Sequence, residues 1–256
     1  MITSAAVTCA ALAAVVFVGK PFSTRAGTPE DRRLPEPVAP AFGVGEARQL
    51  GRARFQSYWA AVLRAESVRS APRRGAPVIG RVDLTTPEGT SNIVAVLGRA
   101  TDRFGDLWVK VRLPALPNNT VGWVPRPTLG GYGVVRTRLV VELERLTATL
   151  FKRGRAVFEA PVGVGRSSWP TPQGHFYIRN RLSGFASPAY GPLAFGTSAR
   201  SSVLTDWPAG GYIGIHGTDQ PALLPGRVSH GCIRMRNEDI LRLGRLMPVG
   251  TPLDIQ

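Results

Sequence analysis

The 256-residue chain carries 32 Lys and Arg residues against 17 Asp and Glu, which gives a formal charge of +15 at pH 7. With 43% hydrophobic and 19% charged residues it can bury a core, which excludes a globally disordered chain. Its 29 Gly and 22 Pro are spread among short apolar runs, and this composition argues against collagen or a helical bundle. We therefore predict a mainly β fold with few short helices.

The positive charge comes almost entirely from arginine, because the only lysines are Lys20, Lys110 and Lys152. The arginines are scattered from Arg25 to Arg245, and no zinc finger, basic zipper or RNP-type aromatic string accompanies them. We predict no nucleic-acid partner. The charge favours attraction to an anionic polymer, for which a cell wall is a candidate.

The first residues predict export. Residues 2–19 are uncharged and mostly apolar, a length between a signal-peptide core and a short transmembrane helix. We expect a signal peptide or membrane anchor at 1–22 and a Pro/Gly-rich linker at 23–54, which places the protein in the cell envelope. Cys232 is then the one cysteine beyond the leader, and a lone thiol in an oxidising compartment suggests a chemical role.

Residues 55–130 show short apolar runs separated by turn residues, which predicts strands. In residues 107–112, Leu107, Val109 and Val111 alternate with more polar positions and Trp108, as in a half-buried strand. The segments VRSAPRRGAPVIGRV, GDLWVKVRLP and NNTVGWVP resemble bacterial SH3-like domains. The resemblance implies a small β-barrel that binds wall peptides or positions a partner domain.

Residues 134–256 predict a second, mostly β domain. Apolar runs at 139–143, 146–151, 156–160 and 175–179 read as strands, with a hairpin turn at 152–155. We expect one helix with Asn237 as its N-cap and with Ile240, Leu243 and Met247 on its apolar face.

Two short segments, IGIHGT at 213–218 and SHGCIRM at 229–235, hold the residues suited to chemistry. Alternation along a strand leaves Gly214 and His216 on the face opposite the isoleucines. A thiol that attacks a carbonyl needs a base and hydrogen-bond donors for the oxyanion. His216 could be the base for Cys232, and Gly231 lets the main-chain N–H groups of 230–232 approach one oxygen.

The motif IHGT, followed after 12 residues by SHGCIRM, resembles the catalytic signature of the L,D-transpeptidase (YkuD-like) family, as does TPQGHFYI upstream. The resemblance covers residues 134–256 and implies a β-sandwich or barrel catalytic domain without a cofactor or metal. It implies the following roles: Cys232 as nucleophile, His216 as base oriented by the Gly217 carbonyl, His230 and Gly231 with Cys232 around the oxyanion, Ser229 as loop support, and Arg234, Tyr212 and Trp169 toward the substrate.

The resemblance also implies a reaction. In that family the thiol attacks a peptidoglycan stem tetrapeptide, expels D-alanine and leaves a thioester, which an amine of a neighbouring stem resolves into a cross-link. Such an enzyme contributes to cell-wall organisation and cell shape, and it is a target of carbapenems.

Other classes remain open from the residues alone. A zinc-dependent wall hydrolase could use His216, His230 and Cys232 as ligands, although no carboxylate lies at a suitable spacing. A papain-like peptidase usually places Cys before His, the reverse of the order here. A third option is a non-catalytic wall-binding protein whose second domain is only a scaffold; Cys232 buried far from His216 would favour it. Two loop aromatics, Trp169 and Tyr190, lie over the cleft or serve in packing.

Overall fold

The computed structural model describes residues 55–184, 187–204 and 211–256, so the expected leader and linker lie outside the described residues. The described part is mainly β, as predicted, with seventeen strands, one α-helix and short 3₁₀ turns. The strands form two sheets, each with its own cluster of buried apolar side chains. No helix in these ranges has the length and apolar character needed to cross a membrane.

The first sheet is antiparallel and has the order β3-β2-β6-β5-β4-β1-β7. Its strands are β1 (Ser57–Val62), β2 (Glu66–Arg69), β3 (Val78–Val82), β4 (Ile93–Thr101), β5 (Leu107–Arg112), β6 (Val121–Pro125) and β7 (Leu129–Val135). This sheet occupies the segment predicted to be SH3-like, and that resemblance stays a prediction.

The second sheet has ten strands in the order β10-β9-β8-β17-β12-β13-β14-β16-β11-β15. Its strands are β8 (Thr137–Glu142), β9 (Thr147–Lys152), β10 (Arg155–Pro161), β11 (Gly163–Gly165), β12 (Gly174–Leu182), β13 (Ala194–Arg200), β14 (Tyr212–His216), β15 (Gly226–Ser229), β16 (Ile233–Arg234) and β17 (Pro252–Ile255). The central strand β13 is buried along nearly its whole length, which fits its position between β12 and β14.

Side-chain alternation explains the strand faces. In β8, Leu139 and Val141 are fully buried while the positions between them are more exposed, the period of two expected for a sheet with one core face. The same alternation holds in β5 for Val109 and Val111. The expected alternation fails at the start of the strand: Leu107 is 37% exposed, whereas Trp108 is 1% exposed and its indole N–H donates to Asp102 in the adjoining turn.

The one described α-helix, α1 (Asn237–Leu246), packs on the second sheet through Ile240, Leu243 and the following Met247, as expected. Its N-cap is Arg236, so the prediction of Asn237 as the cap was wrong by one position. The Asn237 side chain instead accepts a hydrogen bond from the Thr218 N–H at 2.9 Å, which ties the helix start to the loop after β14.

Candidate active site

The two motif segments become neighbouring strands. β14 and β16 pair in parallel, with His216 opposite Arg234. If this register is continued to the position just before β16, Cys232 lies opposite Gly214. Because side chains alternate along a strand, Gly214 and His216 share one face, and the Cys232 side chain meets that face. A separation of sixteen residues in sequence thus becomes a short separation in space.

The sulfur of Cys232 touches the main chain of Gly214. The Gly214 N–H donates to Sγ at 3.4 Å. A Cβ built on Gly214 would lie 3.8 Å from both Sγ of Cys232 and Cδ2 of His216, so thiol and imidazole border the same space. A Cys232 buried far from His216 would have favoured the non-catalytic alternative, and the structure instead places the two side chains around the same space.

The Gly217 carbonyl fixes the tautomer of His216. Nδ1 lies 2.6 Å from Gly217 O, and since a carbonyl only accepts, Nδ1 carries the proton and Nε2 is left as the basic nitrogen. Burial, together with the smaller effect of the Arg234 charge, lowers the pKa of His216 to about 4, although the Gly217 hydrogen bond acts in the opposite direction. The imidazole is therefore neutral at pH 7.

The thiol is neutral as well. Its apolar surroundings raise the pKa of Cys232 above the ordinary value, while the Gly214 N–H and the Arg234 charge pull it down. The side chain of Arg234 is the cation that acts on both members of the pair. Its Nε is buried and has no hydrogen-bond partner among the described residues.

A cavity of about 320 Å³ opens onto this pair. The residues of the site that line it are Cys232, His216, Arg234, Tyr212, Tyr190, His230 and Ser229. The Tyr190 ring lies 5.0 Å from the His216 ring, so this loop aromatic faces the cleft. Trp169 is not among the described residues that line the cavity.

Trp169 instead packs on His230. The centroids of these two rings are 4.3 Å apart. The guanidinium of Arg166 lies 5.0 Å from the centroid of the Trp169 ring. Burial lowers the pKa of His230, and the charges of Arg166 and Arg234 lower it further. Trp169 thus acts on the site through His230 and not by lining the cavity.

A hydrogen-bond chain shapes the loop before Cys232. Ser229 is fully buried; its hydroxyl accepts from the Gly231 N–H at 3.0 Å and donates to the Cys232 carbonyl at 2.6 Å. The Gly231 N–H, which we expected to face a substrate oxygen, is therefore used inside the loop. Gly231 has φ +114°, and a Cβ there would lie 3.0 Å from Ile213 Cδ1, so the position requires glycine.

Sequence reasoning missed the role of Thr171. Its hydroxyl accepts from the Gly165 N–H at 2.9 Å and donates to the Gly231 carbonyl at 2.7 Å, and the residue is 4% exposed. The TPQG segment that carried the family resemblance thus binds the loop before Cys232. A polar residue before proline gives no such signal in isolation.

Asn237 was also missed as a site residue. Its Oδ1 holds the Thr218 N–H, and a Cβ at Gly217 or Gly191 would come within 2.4 Å of that oxygen. The close packing of these two glycines around Asn237 fixes the segment whose carbonyl orients His216. In the sequence, Asn237 was interpreted as a helix cap, and this interpretation left no reason to look for a second role.

The zinc alternative finds no ligand cluster. Among residues 55–184, 187–204 and 211–256, no three His, Cys, Asp or Glu side chains converge as metal ligands would. The geometry explains this, because Nδ1 of His216 is turned to Gly217 and the His230 ring lies on Trp169.

Comparisons with known proteins agree with the geometry. Residues 136–255 match the family model of the L,D-transpeptidase catalytic domain, YkuD. A Bacillus licheniformis protein is 36% identical over 118 residues, and a Bacillus subtilis protein is 34% identical over 117. Both relatives carry the name L,D-transpeptidase YkuD, which is marked as a provisional assignment. Each match covers 46% of this chain and 64% of the relative.

A solved structure is also similar in part. The NMR structure of the catalytic domain from an E. faecium L,D-transpeptidase is 26% identical, with a TM-score of 0.35. The match covers 47% of this chain and 96% of that one.

Proposed function

We propose that residues 136–255, which match the family model of the YkuD L,D-transpeptidase catalytic domain, form a cysteine-dependent acyltransferase that acts on peptidoglycan stem peptides. The observation that carries the proposal is the meeting of Cys232 and His216 at one cavity, with the imidazole tautomer set by Gly217. A neutral imidazole with the correct tautomer can take the proton of the neighbouring thiol, so that the sulfur attacks the substrate as a thiolate.

In the first half-reaction, the donor peptide acylates the thiol of Cys232. Nε2 of His216 takes the thiol proton as the S–C bond forms at the donor carbonyl. The tetrahedral intermediate collapses with cleavage of the C–N bond, and the departing D-alanine amine leaves with the proton from the imidazolium. A thioester to the donor stem and free D-alanine result.

In the second half-reaction, an acceptor amine resolves the thioester. His216, again neutral, takes a proton from the attacking amine, a new amide bond forms, and the thiol of Cys232 leaves with the proton restored. Bond energy passes from one amide to another, so the exchange needs no nucleotide.

We assign the oxyanion to the main-chain N–H of Cys232. Gly231 is excluded as a donor because its N–H is already used by Ser229. The positive charge of Arg234 lies close enough to shift the pKa of the thiol, so it also favours an anionic intermediate and suits a substrate carboxylate.

We further propose that the protein works in the cell envelope, exported through residues 1–22. The supports are the apolar run at 2–19, the lone thiol beyond it and the +15 charge, which favours retention on anionic wall polymers. Retention on isolated walls is then expected to fall steeply between low and high salt. Retention that ignores salt would contradict the electrostatic part of the proposal.

The direct test uses purified stem tetrapeptides. Incubation of the full chain with a disaccharide-tetrapeptide and an amine acceptor is expected to release D-alanine and yield a cross-linked product, read by mass spectrometry. With acceptor withheld, the thioester mass is expected on the wild-type protein and absent from Cys232→Ala. D-alanine release by Cys232→Ala, or none by the wild type, would refute the proposal.

A further inference from the structure

Tyr212 forms one wall of the cavity at the start of β14, and its ring is held between two cations. The Arg179 guanidinium lies 3.9 Å from the ring centroid, and that of Arg200 lies 5.1 Å from it. Both distances are within the range of cation–π attraction. The orientation of this wall therefore depends on what holds the two arginines.

Arg179 is held from both sheets, by a strand of the second sheet and by a loop of the first. Its side chain is 1% exposed, its Nε donates to the Thr197 carbonyl at 2.8 Å, and its NH2 donates to Glu88 Oε1 at 2.8 Å. Glu88 lies in the connection between β3 and β4, and its other oxygen accepts from the Asn180 amide at 3.1 Å. One carboxylate thus neutralises the buried cation that lies on Tyr212.

The connection between β5 and β6 supplies a second support. The Tyr212 hydroxyl donates to the Pro114 carbonyl at 2.9 Å. The Asn118 amide binds the main chain of Arg200 at two points, donating to its carbonyl at 2.8 Å and accepting from its N–H at 3.0 Å. The Tyr212 hydroxyl and both arginines that flank its ring therefore each have a hydrogen-bond partner in a loop of the first sheet.

Burial makes the Glu88 link unlike a surface ion pair. Burial alone would raise the pKa of Glu88, but the Arg179 charge and hydrogen bonds from Thr86 and Arg179 outweigh it, so the pKa is lowered. Removing one partner of a buried pair leaves a charge without compensation, which forces the remaining group to move or to draw in water. For Arg179, either response disturbs the face that it presents to Tyr212.

We propose that the first sheet completes the donor-binding cleft of the second, with Glu88 acting as a positioning residue that sets Tyr212 through Arg179. This inference rests on the proposed transpeptidase function for the identity of the donor, a stem peptide that packs along the Tyr212 wall. It gives the first sheet a role in substrate placement, separate from any affinity for the wall.

The test compares Glu88→Gln with Asp83→Asn. Asp83 also lies in the first sheet's part of the chain and also pairs with an arginine, Arg81, but both side chains are about 60% exposed and neither lines the cavity. Glu88→Gln is expected to lower kcat/KM for the tetrapeptide donor about tenfold, chiefly through KM, since small misplacements of positioning groups cost that much or more. Asp83→Asn is expected to match the wild type.

A second readout separates positioning from general damage. Iodoacetamide is small and does not need the Tyr212 wall, so its rate with Cys232 is expected to be the same in Glu88→Gln and the wild type. Equal losses in both assays would mean a disrupted fold and overturn the positioning role. Tyr212→Phe, which removes only the bond to Pro114, supplies a milder change with the same expected direction should Glu88→Gln fail to fold.

Hydrogen exchange keeps this inference distinct from the proposed function. Amides of 211–216 are expected to exchange faster in Glu88→Gln than in Asp83→Asn, whatever the substrate proves to be. A wild-type protein inactive on tetrapeptides would overturn the proposed function, and the exchange comparison would still decide the positioning role. Unchanged exchange together with unchanged KM would overturn the inference alone.

Discussion

The imidazole of His216 donates from Nδ1 to the carbonyl of the next residue, Gly217, at 2.6 Å. In triads of the Ser-His-Asp kind a carboxylate holds this position and stabilises the imidazolium that forms during proton transfer. A carbonyl dipole fixes the tautomer equally well but carries no net charge to stabilise the cation. Burial and the charge of Arg234 therefore keep the pKa of His216 low, and the ring rests as a free base.

We expect an unusually acidic lower limb in the pH profile. His216 must be neutral to accept the thiol proton, and its pKa is lowered to about 4, so kcat/KM is expected to fall only as pH drops through that value. The measurement is the pH dependence of tetrapeptide turnover. A limb near pH 6.5 would show that the imidazole titrates like an exposed histidine, contrary to its buried position.

The thiol gives a separate signal. Because the pKa of Cys232 is raised above its ordinary value of 9.0, alkylation by iodoacetamide in the absence of substrate is expected to climb only at alkaline pH. A rate already at its plateau at pH 7 would mean that a thiolate–imidazolium pair exists at rest.

Gly214→Ala is expected to separate stability from activity. The added Cβ would sit 3.8 Å from both Sγ of Cys232 and Cδ2 of His216, an ordinary contact distance, so the fold is expected to tolerate it. The methyl occupies the space bordering the reacting pair, and acylation is expected to slow by about tenfold or more. Stability by urea denaturation and acylation by mass spectrometry check the two halves.

The matched control is Gly131→Ala. Gly131 lies in β7 of the first sheet, where a new Cβ meets nothing within 4 Å, and its acylation rate is expected to equal that of the wild type. A Gly214→Ala protein that acylates as fast as this control would show that the space beside Gly214 is not used in the reaction.

The sequence predicts the reacting pair because strand alternation and motif spacing are local properties. His216 and the glycine before it follow from the period of two. The supports of the pair do not follow, because Thr171 reaches the segment before Cys232 from the loop between β11 and β12, and Asn237 reaches the segment after Gly217 from the start of the helix. Trp169 shows the same limit: a loop aromatic was expected at the cleft, and tertiary packing places it on His230.

A carbapenem is expected to acylate Cys232. Its strained carbonyl offers the sulfur the same attack as the donor amide, and the product keeps the mass of the whole drug because ring opening expels no fragment. Intact-protein mass spectrometry is expected to show one adduct on the wild type. An adduct of equal yield on Cys232→Ala would place the reaction elsewhere in the chain.

Thr171→Val tests whether the loop before Cys232 is held from behind. Valine keeps the shape of threonine but leaves the Gly231 carbonyl and the Gly165 N–H without their buried partner. Such orphaned groups cost about 1–3 kcal/mol, so the free energy of unfolding is expected to fall by that amount in urea denaturation. Thr171→Ser keeps the hydroxyl and loses only a methyl, for a cost of about 1 kcal/mol.

Because Gly231 directly precedes Cys232 in the chain, the acylation rate is expected to fall in the valine variant and to stay near the wild-type rate in the serine variant. Equal acylation rates in the two variants would mean that the hydroxyl serves stability alone and that the loop finds its reactive geometry without it.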